Sequence, residues 1–381
     1  MKTHLVHPVS ALAGATVILG ACLLSGMQQP AGEKQDILRH MTIVYLPDGL
    51  GGTAKTIRFT GVNVQVVNGL GSTNGFPGDP DSVDPLDTVV NSVGNLIVGY
   101  NELGNPLPGG DNRTGSHNIV VGHGNNYTSF GGYVGPLDNM TSAPFASVTG
   151  GTENWASNRG ALVSGGRKNT ARGEWSSVGG GWENSASGNY ASVTGGRQNT
   201  ASGTDASVSG GRLNSAVERH TSVSGGSHNT ASGWYSSVSG GTANEASGPY
   251  SAVSGGSSNY ALGQLASISG GTGNRARGLA SSISGGGGNT AKGTSSSVSG
   301  GVLNYATGTL SWIGGGRANS TSGSHSSVSG GRYNTASHFF SSVSGGQYNV
   351  ASGNYSSVSG GSNRSVSGKN NWRGGKYYSN N

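Results

Sequence analysis

Side chains able to do acid–base, nucleophilic or metal chemistry are sparse here: nine histidines, 16 carboxylates and a single cysteine, Cys22, in 381 residues. Catalysis needs such groups at set spacings. The chain has no nucleophile elbow, no zinc motif and no pair of carboxylates in an acid–base setting. Its many glycine-rich segments lack the Lys-Ser/Thr ending of a phosphate loop. The acidic stretch within Gly69–Asp87 places Asp79, Asp81, Asp84 and Asp87 close together. It lacks the glycine and closing glutamate of an EF-hand, so these read as solvated turn aspartates rather than calcium ligands. One cysteine excludes an intrachain disulfide framework and a cysteine-based metal site. The expectation is a non-enzyme with no catalytic, cofactor-binding or metal residues and no cofactor.

Composition points the same way. Only 10% of residues are charged and 32% hydrophobic, while 73 are glycine, which is not the mixture of a thick-cored enzyme. The 22 Lys and Arg give a formal charge of +6, but they are scattered and form no run that would track a phosphate backbone. Nucleic acid is therefore not an expected partner. The mild basicity suits loose attraction to acidic surfaces.

The N-terminus has the layout of an export signal: Lys2 and polar residues to Ser10, an apolar stretch from Ala11 to Leu24, then Ser25, Gly26 and Gln28-Gln29-Pro30. That stretch is short for a spanning helix of about 20 residues. A retained anchor is the alternative. Leu19-Gly20-Ala21-Cys22 is similar to a bacterial lipoprotein cleavage box, which makes Cys22 a candidate lipidation site. Membrane contact is expected only through such a lipid or an uncleaved signal, and the location is secreted or cell surface.

Residues 1–32 are thus assigned to the signal, and 33–94 to a short helix (Glu33–Met41), a hairpin (Thr42–Leu46 and Thr56–Val67) and the Gly/Pro/Asp loop. The hairpin flanks a Pro47-Asp48-Gly49 turn, and capping whatever follows is its expected role. Residues 95–147 read as irregular early coils, with Asn95–Gly99 and Asn118–Gly122 as related short strands and Val121, Val134 and Val148 at spacings of 13 and 14.

Over 148–366 the register locks at 15. Val148, Val163, Val178, Val193, Val208, Val223, Val238, Val253, Ile268, Ile283, Val298, Ile313, Val328, Val343 and Val358 follow one another without an insertion. All fifteen are followed, after one residue, by Gly-Gly; fourteen have Asn six residues on and thirteen have Ala eight on. The unit is S-S-V-S-G-G-x-x-N-x-A-S-G-x-x. Alternation turns the valine inward and its flanking serines outward. Gly-Gly permits a tight corner, a further glycine in twelve of fifteen units makes a second, and stacked asparagines form a hydrogen-bonded ladder. Two short strands and two corners make one coil of a solenoid, so the fold class is all-β: a parallel β-solenoid of 15-residue coils with a hairpin cap. Residues 367–381 read as a polar tail.

One valine and one alanine per coil is too little apolar burial to offset ordering 15 residues. Stacking, and then lateral packing on other chains, must supply the rest, and the expected assembly is a homotrimer. Three residues before the valines stand Trp175, Tyr190, Tyr235, Tyr250, Phe340 and Tyr355, with Leu265, Leu310, His220 and His325 at the same place. This ladder is the candidate interface, the alternative being an exposed binding strip. Small neighbours such as Ser176, Ala191 and Ser236 would let backbones approach there.

The unit S-V-S-G-G-x-x-N-x-A-S-G-x-x-S resembles the repeats of trimeric autotransporter adhesin heads, the YadA-like left-handed parallel β-roll, from about Asn95 to Val366. The resemblance implies one coil per repeat, three associated chains and adhesion. The repeat is one residue longer than the family's and has Ser-Gly-Gly where the family has Ile-Gly. No coiled-coil stalk or membrane barrel follows, so self-transport and membrane anchoring do not carry over, and handedness rests on analogy. The expected function is an exported structural or adhesive surface protein that binds a surface, matrix or polysaccharide multivalently. Its alternative is a regular-array ligand binder such as an ice-binding solenoid, suggested by the hydroxyls flanking each valine (Ser222 and Ser224, Ser297 and Ser299). A carbohydrate-active β-helix is disfavoured because clustered carboxylates are missing.

Overall fold

The computed structural model describes residues 36–49 and 51–374. The export segment and Cys22 lie outside the described residues. The chain divides into two compact units, 1–65 and 66–381.

In the first unit, residues 36–39 make a single helical turn, closed by His40 N–H donating to Ile37 O at 3.1 Å. The helix stops short of Met41 because the run Thr42-Ile43-Val44-Tyr45 favours extended backbone. Strand β1 (Met41–Pro47) pairs antiparallel with β2 (Thr53–Phe59), from Met41 opposite Phe59 to Pro47 opposite Thr53. Gly52 N–H donates to Asp48 Oδ1 at 2.8 Å across the turn. The second strand ends at Phe59 rather than running to Val67, because the chain turns at Gly61 with φ +72°.

The second unit is a parallel β-solenoid of about 17 coils. Its first strands, β3 (Leu96–Val98) and β4 (Ile119–Val121), pair in parallel across 23 residues, Leu96 beside Ile119. From there Ile119 registers with Tyr133 and Val120 with Val134, and Val134 with Val148. The inward residue is therefore Val120, not Val121, and the early coils are regular at 14 residues. A one-residue slip sends a strand side chain to the opposite face, which is why the 13-residue spacing misled.

From Val148 on, each coil has two short strands and a one-residue bridge. One strand holds the valine, for instance Ser177–Val178 on Ser192–Val193; the other holds the alanine, Thr170–Ala171 on Ser185–Ala186. Between them the residue four after the valine bridges to the next coil, Arg167 to Trp182 and so on. Strand amides donate to the following coil, as Ser177 N–H does to Ala191 O at 2.9 Å. At two corners the direction reverses: Lys168 N–H donates back to Thr152 O and Trp175 N–H back to Arg159 O. Those corner residues sit at φ +56° and +55°, and this left-handed backbone turns the amide round.

All fifteen ladder residues from Val148 to Val358 are 0–1% exposed within one chain. Three further ladders are buried with them: the alanines, the asparagines from Asn154 to Asn349, and the residue two before each valine. Ser176, Ala191 and Ser236 belong to this last ladder and face the interior. They correct the expectation of small residues at a chain–chain contact. Each asparagine makes three side-chain bonds. Asn244 Oδ1 accepts Asn259 N–H at 3.0 Å, and its Nδ2 donates to Gly240 O at 2.9 Å and Gly256 O at 3.0 Å. The core is thus largely a polar ladder whose hydrogen bonds are satisfied, which is how it closes with so few apolar atoms.

The two glycines of the pair differ. The second has φ near +86°, and a Cβ on it would meet the next coil's backbone; the first faces open space at most coils, as Gly240 does. The later glycine, such as Gly233, has ordinary φ but lies against the Gly248 carbonyl of the next coil. It serves the second corner by allowing close stacking, while the corner residue two positions on takes the left-handed turn. The ladder also runs past 366: Trp372–Arg373 pairs with Ser357–Val358, so part of the expected tail is a further coil, with Arg373 at the valine position.

Candidate functional site

The carboxylates near the start of the solenoid are turn-formers. Asp79 Oδ1 accepts Asp81 N–H and Asp84 Oδ1 accepts Leu86 N–H, while Ser82 Oγ bonds Asp87. No cluster of three metal-ligating side chains occurs among the described residues. Asp111 accepts Gly104 N–H at 2.8 Å and Asn105 N–H at 3.2 Å. These backbone donors, first that of Gly104, hold its carboxyl below the ordinary value, with Arg113 adding to the effect. For Glu153, burial pushes upward, but the Arg167 hydrogen bond and the charges of Arg167 and Lys168 outweigh it and leave the carboxyl lowered. Both are structural arrangements. A groove of about 540 Å³ beside the loop at Val83–Val90 contains Arg159 and Glu174, and these pair with each other at 3.7 Å.

The distinctive surface features are columns. Trp175, Tyr190, Tyr235, Tyr250, Phe340 and Tyr355 all stand on the left-handed corner and are 44–57% exposed in the single chain. Successive rings stack along the axis: His220 on Tyr235 at 4.5 Å, Tyr235 on Tyr250 at 5.1 Å and 1°, His325 on Phe340 at 4.6 Å, Phe340 on Tyr355 at 5.4 Å. Ring faces are occupied by neighbouring rings, so the column offers mainly edges to solvent. A sugar stacking on an aromatic face finds no open platform within a stack.

No family model matches this chain. No curated protein matches it either.

A second column set lies on the valine strands. Ser207, Ser222, Ser237, Ala252, Ser267, Ser282 and Ser297 are in register, and Ser209, Ser224, Ser239, Ser254, Ser269, Ser284 and Ser299 run beside them, exposed. These two hydroxyl rows are about 6.6 Å apart and step by about 4.8 Å.

Sequence reasoning missed the cation–π contacts, in which Arg197 lies 4.0 Å from the Trp182 ring and Arg172 5.1 Å from Trp155. It also missed the left-handed backbone beneath the aromatic column. The first was findable, because these partners sit one 15-residue step apart at matching positions. The second was not, since Tyr, Phe and Trp are residue types that disfavour positive φ.

Proposed function

We propose that the chain is a non-catalytic, rigid surface rod that presents repeated side chains for multivalent adhesion and works as an assembly of identical chains, a homotrimer in the first instance. The observation that carries this reading is that each outward position recurs in register through the coils. At about 4.8 Å per coil the solenoid spans about 75–80 Å. Weak contacts repeated along such a rod add through effective concentration rather than individual strength. The repeat's resemblance to adhesin heads supports the same reading, as does the export-type N-terminus, with a secreted or cell-surface location.

Assembly rests on the aromatic corner rather than on the core, because burial of the ladders is complete within one chain. An apolar column of this exposure suits an interface between copies. Light scattering on the purified chain is the test. A mass of three chains, falling to one in a Tyr235→Ser, Tyr250→Ser, Tyr355→Ser variant, is the expected result; a monodisperse single-chain mass for the unaltered protein overturns the assembly.

The paired hydroxyl rows between Ser207 and Ser299 favour a second reading, an array that binds a regular lattice such as ice. Thermal hysteresis near freezing that disappears on replacing alternate row serines with lysine would establish it, and no hysteresis would dismiss it.

A further inference from the structure

Charge is divided unevenly along the rod. All 16 carboxylates of the chain lie at or before Glu245, whereas residues 246–374 contain eight Lys and Arg and no acid. In the earlier coils cations are neutralised by acids one coil away: Arg167 and Lys168 on Glu153 at 2.8 and 3.5 Å, Arg159 on Glu174 at 3.7 Å. The later coils have no such partners in their sequence, so their cations face solvent uncompensated.

Three of these cations share one flat face. Arg275 begins the strand Arg275–Ala276, which pairs with Thr290–Ala291. Arg277 and Lys292 occupy the same outward place in those two successive coils, about 4.8 Å apart, and Arg275 lies about 6.6 Å from Arg277 along the strand. All three are exposed. Tyr260 and Tyr305 stand in Arg275's column on either side, with the guanidinium 5.1 Å from the Tyr260 ring. The nearest acid in that column, Glu245, is two coils away, about 9.6 Å, close to a Debye length at physiological salt.

We propose that this face binds a linear carboxylated polysaccharide, with Arg275, Arg277 and Lys292 taking carboxylates of successive sugars and neighbouring hydroxyls such as Thr290 and Thr307 bonding the sugar hydroxyls. The proposal rests on the adhesive reading and names its ligand class. Charge density selects this occupant. The later half carries about one cation per coil step of about 4.8 Å, whereas duplex nucleic acid presents a charge every 1.7 Å or so and needs a much denser basic track. The occupied ring faces of the aromatic corner leave charge and hydroxyls as the recognition chemistry available to a sugar.

The test passes the purified full chain over immobilised polygalacturonate, over neutral dextran, and over double-stranded DNA at low salt. The variant R275T/R277S/K292S installs residues that other coils already carry at the same places (Thr230, Ser232, Ser247), so it is expected to fold as the parent does. The control R159Q/R167Q/K168Q removes the same charge from the compensated half. Salt-sensitive retention on polygalacturonate, weakened about tenfold in the first variant and within twofold of the parent in the control, supports the proposal. Equal weakening in both variants, stronger retention on DNA, or no retention on polygalacturonate overturns it. Binding to dextran without binding to polygalacturonate removes this inference while leaving the adhesive reading in place; binding to no matrix at all removes both.

Discussion

Replacing Asn244 with alanine tests the polar-ladder account of the core. The side chain is 1% exposed and joins three coils. Its loss leaves Asn259 N–H and Gly240 O without the partners they have at 3.0 and 2.9 Å, whereas Gly256 O keeps the bond from Thr242 N–H at 2.9 Å. Two orphaned buried groups at about 1–3 kcal/mol each give a loss of about 2–6 kcal/mol. In a nearest-neighbour solenoid this weakness is local, so the assay is amide hydrogen exchange. The Asn259 amide is expected to exchange at least about thirtyfold faster than in the parent, with amides of coils near Val178 unchanged. Thr242→Ala, an exposed change in the same coil, is the control. An Asn259 amide that exchanges within threefold of the parent in the Asn244→Ala protein would refute the idea that the asparagines hold the coils.

Other outcomes follow from the same geometry. Gly241→Ala places a Cβ against Gly256 O at φ +87° and is expected to cost about 2 kcal/mol or more, while Gly240→Ala, which faces open space, changes stability by less than about 1 kcal/mol; paired denaturation curves compare them. Tyr235→Ser removes stacking on both His220 and Tyr250, a loss of about 1–3 kcal/mol that should show in the exchange of corner amides while the Val238 strand stays protected. Asp111 has a folded pKa below its unfolded value, so its contribution is present above about pH 4 and is lost as pH falls through the folded pKa. Exchange of the Gly104 and Asn105 amides should accelerate below that pH in the parent and be fast and pH-independent, after correction for intrinsic rates, in Asp111→Asn.

The solenoid was legible because its period is written in side chains with unambiguous roles. A β-branched residue, a glycine and an asparagine each recur at one place, and each has a backbone reason to be there. What could not be read was which small residues face inward. Ser176 and Ala191 fit a tight external contact and a narrow interior equally well by type, and only the coil's curvature assigns them inside. The error at Val121 has a similar source. Val120 and Val121 are equally apolar neighbours, and the register was decided by the bond of Ile119 N–H to Gly132 O at 3.0 Å, which no local preference reveals. The thin-core argument for association failed in part because it counted apolar burial alone, while the asparagine ladder brings three side-chain bonds per coil.

The backbone beneath the aromatic column bears on what that corner is for. A left-handed conformation costs an L-residue about 1–2 kcal/mol relative to glycine, and the corner holds Trp175, Tyr190, Tyr235, Tyr250, Phe340 and Tyr355 in it. Ring stacking offsets about 0.5–1.5 kcal/mol per pair, but Trp175 and Tyr190 occupy the same strained corner without a ring stacked on the axis in the manner of Tyr235 and Tyr250. Glycine does occur there once, at Gly160, with φ +62°, so the coil closes without a side chain. A corner that served only to turn the chain would gain from glycine throughout. Large rings retained against backbone preference, half-exposed and on one edge of the rod, point to a role on the outside of the coil, where a second chain is the partner that meets their apolar edges without requiring an open ring face.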